Sequence, residues 1–92
     1  MKQKQLFLCK AFLSLKNEEE IHSFLHDILT TEEITEISNR LDIAQRLSQQ
    51  ESYSSIEQTT GYSSTTIARV AKFLKWKTGG YKMVLERMKK QV

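Results

Sequence analysis

The segment SSIEQTTGYSSTTIARVAKFLK, from Ser54 to Lys75, carries the densest chemistry in this chain of 92 residues. Four hydroxyl side chains, Ser63, Ser64, Thr65 and Thr66, follow Gly61, and Arg69, Lys72 and Lys75 come after them at helical spacing. Hydroxyls donate to or accept from base edges and phosphates, and the methyl groups of Thr and Ala can touch thymine methyls. Backbone N–H groups at a helix start suit a phosphate oxygen. The three bases lie further along, where phosphate contacts are expected. The candidate DNA-contacting set is therefore Ser54, Tyr62, Ser63, Ser64, Thr65, Thr66, Ala68, Arg69, Lys72 and Lys75. The plainer alternative makes Ser-Ser-Thr-Thr a long helix-start signal only. It leaves the glycine spacing and the basic face unexplained.

Other chemistry is sparse. His22 and His26 are four apart and share a helix face, a possible metal pair, but two ligands without a third nearby are a weak signal. The expectation is two partly exposed surface histidines and no metal site. No Ser-His-Asp, P-loop or dinucleotide motif is present, so the chain does not read as an enzyme. Cys9 is the only cysteine. It cannot form an internal disulfide or a zinc cluster, and its apolar neighbours suggest a core position. A lone cysteine fits a reducing compartment, and no signal peptide or membrane-length run is evident, so a cytoplasmic location is expected, on the nucleoid when DNA is bound.

These side chains need elements to position them. The chain has no proline, glycine occurs only at 61, 79 and 80, and the apolar spacing is helical almost throughout. A first helix is expected near 2–15, with Leu6, Cys9 and Leu13 on one stripe and Phe7 and Ala11 beside them. Asn17 followed by Glu20 has the side chains of a capping box and opens a second helix near 18–29, striped by Ile21, Phe24, Leu25 and Ile28. Thr30 followed by Glu33 repeats the signal before a third helix near 31–50, striped by Ile34, Ile37, Leu41, Ala44 and Leu47. Ser54 followed by Glu57 caps a short helix near 54–60, which Gly61 ends. Ser63 caps the next, near 64–75. A last helix near 80–90 offers Met83, Val84 and Met88 as apolar contacts, and Trp76, beside Lys75 and Lys77, is expected to pack against it.

Two short helices joined by a glycine turn make a helix-turn-helix. Ile56, Ile67 and Val70 should point inward and lock its angle, with Ala71 and Leu74 extending the stripe. The expected architecture is all-α, about six helices in a single domain over 1–92. Residues 1–51 form dimerisation helices, 54–75 the DNA-binding unit and 79–92 the C-terminal helix. Charge supports that division. The net charge is +3, yet residues 52–92 carry eight bases against Glu57 and Glu86, while residues 30–51 are acidic. A basic surplus in the half that holds the motif suits a polyanion partner.

From LTTEEITEISNRLDIAQRL through SSIEQTTGYSSTTIARVAKFLK the chain resembles the Trp repressor family, and more narrowly its YerC/YecD-type branch of bacterial relatives. The likeness covers roughly residues 20–90. It implies an intertwined helical homodimer whose helix-turn-helix reads operator half-sites in double-stranded DNA, hence a transcriptional regulator, most simply a repressor. It also implies that Arg40 and Arg69 stand where the family's ligand arginines stand. Two departures matter. Val70 and Phe73 occupy positions where the repressor has glycine and serine, so bulk replaces indole space and a hydroxyl is lost. Tryptophan is therefore not expected as co-repressor, no other cofactor is implied, and the effector is unknown. Arg40 and Arg69 could hold another anion, pair with Glu36 or Asp42, or contact DNA. The alternative function is a helical protein-interaction module that keeps the helix-turn-helix as scaffold.

Overall fold

Local capping chemistry sets most of the helix starts. The computed structural model describes residues 1–76 and 78–89. Six helices and no strand occur among them: α1 (Gln3–Leu13), α2 (Glu18–Ile28), α3 (Thr31–Ser48), α4 (Tyr53–Thr60), α5 (Ser64–Leu74) and α6 (Gly80–Lys89). The Asn17 side chain accepts from the Glu20 N–H at 2.9 Å, and the Glu20 carboxylate reaches past Asn17 to accept from the Lys16 N–H at 2.9 Å. At the start of α3 the box closes fully. Thr30 Oγ1 accepts from the Glu33 N–H at 3.1 Å, and Glu33 accepts from the Thr30 N–H at 2.8 Å. The bond from the Thr30 backbone, then that from its hydroxyl, holds the Glu33 carboxyl below its ordinary pKa.

Contacts group the chain into two compact units, Met1–Thr35 and Glu36–Val92. In the first unit no residue is buried. Phe12 and Phe24 meet edge to face with ring centroids 5.3 Å apart, while Leu6, Phe7, Leu13, Ile21 and Ile28 remain exposed. Cys9, expected in a core, is exposed too. Its stripe exists, but this unit has no interior for the stripe to enter.

The second unit has a core made of Ile43, Ala44, Ile56, Ile67, Val70 and Leu85, with Leu47, Tyr62, Leu74 and Tyr81 packed against it. Ile56, Ile67 and Val70 point inward as the sequence predicts. Two other expectations need correction. On α3 the core takes Ile43 with Ala44 and Leu47, while Ile37 and Leu41 stay exposed. On α6 it takes Leu85 and Tyr81, one turn apart, and leaves Met83, Val84 and Met88 exposed. Both helices carry two apolar rows at helical spacing, and spacing alone does not rank them. Trp76 is half exposed, its ring tilted on Phe73 at 5.9 Å. Lys77 and the expected extension of the last helix to residue 90 and beyond lie outside the described residues.

α3 stops at Ser48, short of the expected residue 50. The Glu51 N–H bonds to the Arg46 carbonyl at 3.1 Å and the Gln50 N–H to the Leu47 carbonyl at 3.0 Å. That is a Schellman turn, with Gln50 in the left-handed position at φ 68°. The turn brings Glu51 back onto Arg46, which binds it at 3.3 Å and Asp42 at 3.3 Å. Burial works against the Arg46 charge, but the Asp42 and Glu51 carboxylates outweigh it and raise the guanidinium pKa. Glu51 also accepts from the Ser55 hydroxyl at 3.1 Å, tying the end of α3 to the first turn of α4. The cap of α4 is consequently Ser52, not Ser54. Ser52 Oγ accepts from the Ser55 N–H at 3.1 Å. With Glu51 held, the first hydroxyl after it meets the free N–H groups, and Ser54 falls inside the helix.

Candidate nucleic-acid interface

The turn between α4 and α5 depends on one backbone conformation. Gly61 has φ 78° and ψ 3°, and its N–H closes on the Glu57 carbonyl at 2.9 Å. A side chain there would meet no atom within 4 Å, so the requirement for glycine is conformational rather than spatial. Side chains then pin the exit. Thr60 Oγ1 donates to the Ile56 carbonyl and accepts from the Tyr62 N–H at 3.2 Å. The Tyr62 hydroxyl donates to Asn39 Oδ1 at 2.8 Å, fastening the turn to α3. Burial, followed by the Asp42 charge, raises the Tyr62 pKa.

The hydroxyls after Gly61 divide into two kinds. Ser63 caps α5, accepting from the Thr66 N–H at 3.2 Å, and its hydroxyl pairs with that of Thr66 at 2.9 Å. Among the described residues the Ser64 and Thr65 side chains have no partner and stand exposed in the first turn of α5. Ala68, Arg69 and Lys72 continue the exposed face, and Lys75 follows at the C-cap. Ile67 and Val70 lie on the opposite side, buried. One helix thus presents hydroxyls, a methyl and cations outward from an anchored base. Of the other predicted contacts, Ser54 is exposed on α4, and Tyr62 is half buried with its hydroxyl engaged by Asn39.

Arg40 and Arg69 border a single open groove of about 1030 Å³, together with Glu36, Asn39, Val70 and Phe73. Arg40 makes only a long contact to Glu36, 3.9 Å, with both side chains more than half exposed. Of the two acids considered for Arg40, Asp42 instead serves Arg46. Val70 is 3% exposed and belongs to the core, while Phe73 is 53% exposed against Trp76. The two bulky residues line the groove rather than close it. Asn39, Arg46 and Glu51 were not singled out in the sequence. Asn39 lies 23 positions from Tyr62, and no short-range spacing signals that pairing.

A family model described as Trp repressor protein matches residues 3–89. The chain belongs to the Trp repressor family. The protein YerC of Bacillus subtilis is 40% identical over 85 residues, which are 92% of this chain and 80% of YerC. A crystal structure from Staphylococcus aureus, provisionally described as a Trp repressor, superposes with a TM-score of 0.90 at 38% identity, over 97% of this chain and 89% of that one. A TrpR-like protein of Eubacterium eligens gives 0.88 at 37% identity, over 95% and 90%. Trp repressor family proteins are helical DNA-binding regulators rather than enzymes. Among the described residues no helix is long and apolar enough to cross a membrane.

Proposed function

We propose that this chain is a sequence-specific DNA-binding transcription regulator that inserts α5 into the major groove, acts as a homodimer and works in the cytoplasm. The observation that carries the reading is the two-sidedness of α5. Ser64, Thr65, Ala68, Arg69 and Lys72 are outward and exposed, while Ile67 and Val70 hold the helix to the core. Short side chains at the entering end let the backbone approach base edges, and the cations behind them meet phosphates. A second copy of the chain is the partner best suited to the first unit, because α1 and α2 expose Leu6, Leu13, Ile21 and Ile28 and bury nothing.

The test is a band shift with genomic fragments at two salt concentrations. Phosphate binding weakens steeply with salt. Arg69→Ala and Lys72→Ala should weaken binding across sequences and flatten the salt slope, whereas Thr65→Ala should relax base preference at one position per half-site. Wild-type affinity in all three variants would mean that α5 is not the reading helix. Sedimentation at micromolar concentration should show a dimer; a stable folded monomer contradicts the assembly.

Tryptophan is not the effector in this reading. The reading rests on residue type: Val70 and Phe73 stand where small residues would leave indole space, and neither offers a hydroxyl to an ammonium group, although the groove they line is open. DNA binding is then constitutive with respect to tryptophan. Calorimetry of L-tryptophan into the wild type, beside a Val70→Gly/Phe73→Ser variant, tests this directly. Micromolar uptake by the wild type, or DNA binding that requires tryptophan, would sink it.

A further inference from the structure

We propose that His22 and His26 form a two-nitrogen chelate for a late first-row divalent cation that favours right-angled coordination, of the Ni²⁺ or Cu²⁺ kind. The sequence alone gives only a spacing of four. The structure brings the two Nε2 atoms to 3.0 Å, with ring centroids 4.3 Å apart and the ring planes at 61°. Without metal, one ring must donate and the other accept at that distance. With the proton of each ring on Nδ1, the two Nε2 lone pairs would face a common point, and a cation is the group that both could bind there.

The separation selects the geometry. At a metal–nitrogen distance of about 2.0–2.1 Å, nitrogens 3.0 Å apart subtend an angle of about 91–97° at the metal. Tetrahedral zinc wants nearer 109°, which requires about 3.4 Å. A right-angled pair of imidazoles is a corner of a tetragonal or octahedral site, the geometry of Cu²⁺ and Ni²⁺. No group of three or more His, Cys, Asp or Glu side chains able to hold a metal forms among the described residues. Water therefore completes the coordination. Glu18 and Glu19 stand one turn earlier on the same helix and add negative charge near the site.

The site is also accessible. Both histidines are exposed. Helical spacing sets them about a third of a turn away from the stripe of Ile21, Phe24, Leu25 and Ile28, so covering that stripe leaves them open. A cation held by both rings would clamp one turn of α2, and binding to the folded form alone raises its stability by mass action.

Calorimetry of NiCl₂ into the untagged full chain should give one Ni²⁺ per chain, with a rise in the thermal midpoint. His22→Gln and His26→Gln should each weaken that binding at least about tenfold, since even outer-shell partners of a metal are worth that much. Because both residues are exposed, helicity by circular dichroism should be unchanged in either variant. In an amide spectrum, broadening by Ni²⁺ should begin at residues 22 and 26. Absence of Ni²⁺ uptake, wild-type affinity in either variant, or broadening centred elsewhere, such as at the N-terminal amine, would overturn the proposal.

Discussion

Residues 1–35 and residues 36–89 are built by different means. The first unit has its helix starts written in short-range chemistry, Asn17 on Glu20 and Thr30 with Glu33, yet it buries no residue. The second closes a six-residue core drawn from α3, α4, α5 and α6. Capping satisfies backbone donors wherever a helix begins, but it supplies no hydrophobic free energy. Helices can therefore be locally specified and still need a partner. The second unit holds α5 on its own core, and the first leaves its apolar surface exposed.

The largest expected effect tests the self-sufficient side. Ile67 is fully buried beneath α5, so Ile67→Ala should lower the unfolding free energy by ~2–5 kcal/mol in urea titration. A loss below ~1 kcal/mol would mean that this core does not carry the helix-turn-helix. The matching substitution in the first unit is Leu13→Ala. Leu13 is 84% exposed within the chain, and a free surface position should respond by no more than ~0.5 kcal/mol. If a second copy covers it, the loss should reach ~2 kcal/mol and the thermal midpoint should rise with protein concentration. Those outcomes decide whether the contrast between the units belongs to one chain or to an assembly.

What could be read in the sequence follows the same division. Six helices, the Gly61 turn, the Ser63 cap and the inward set of Ile56, Ile67 and Val70 were legible, because each rests on contacts within a few turns. Choices between two apolar rows were not. Ile43 and Leu85 won over Leu41 and Met88 because of where other helices lie, which periodicity does not contain. The exposed face of α5 was legible as composition. Its division into cap-bound Ser63 and Thr66 and unpartnered Ser64 and Thr65 needed hydrogen-bond geometry. The Tyr62–Asn39 bond joins residues far apart in sequence and was invisible.

A smaller effect is expected at Gly61. Its φ of 78° is costly for a residue with a Cβ, and the surrounding space is empty. Gly61→Ala should therefore cost ~1–2 kcal/mol from the backbone alone, and Gly61→Asn distinctly less, because asparagine tolerates the left-handed region. Equal losses in the two variants, read by urea unfolding, would point to a steric cause that the open surroundings do not supply.

The smallest effect concerns the helix end that the sequence conceals. Gln50 occupies the left-handed position of the Schellman turn at φ 68°, where glycine is the usual residue. Replacing it with glycine removes the strain of a Cβ in that conformation, ~1–2 kcal/mol, but loosens the unfolded chain by ~0.4–1 kcal/mol. The balance favours the variant, so Gln50→Gly should raise stability by up to ~1.6 kcal/mol in urea titration. Gln50→Ala keeps the Cβ and should bring no gain. The geometry beyond the turn supplies a second readout. Glu51 folds back onto Arg46 and accepts from Ser55 beside Ser52, the cap of α4, and those contacts should persist. If Gln50→Gly stabilises the chain while leaving its helicity unchanged, the turn is a strained but faithful end to α3. If it destabilises, the Gln50 side chain contributes something that outweighs its backbone, and the position is not the plain stop that its hydrogen bonds describe.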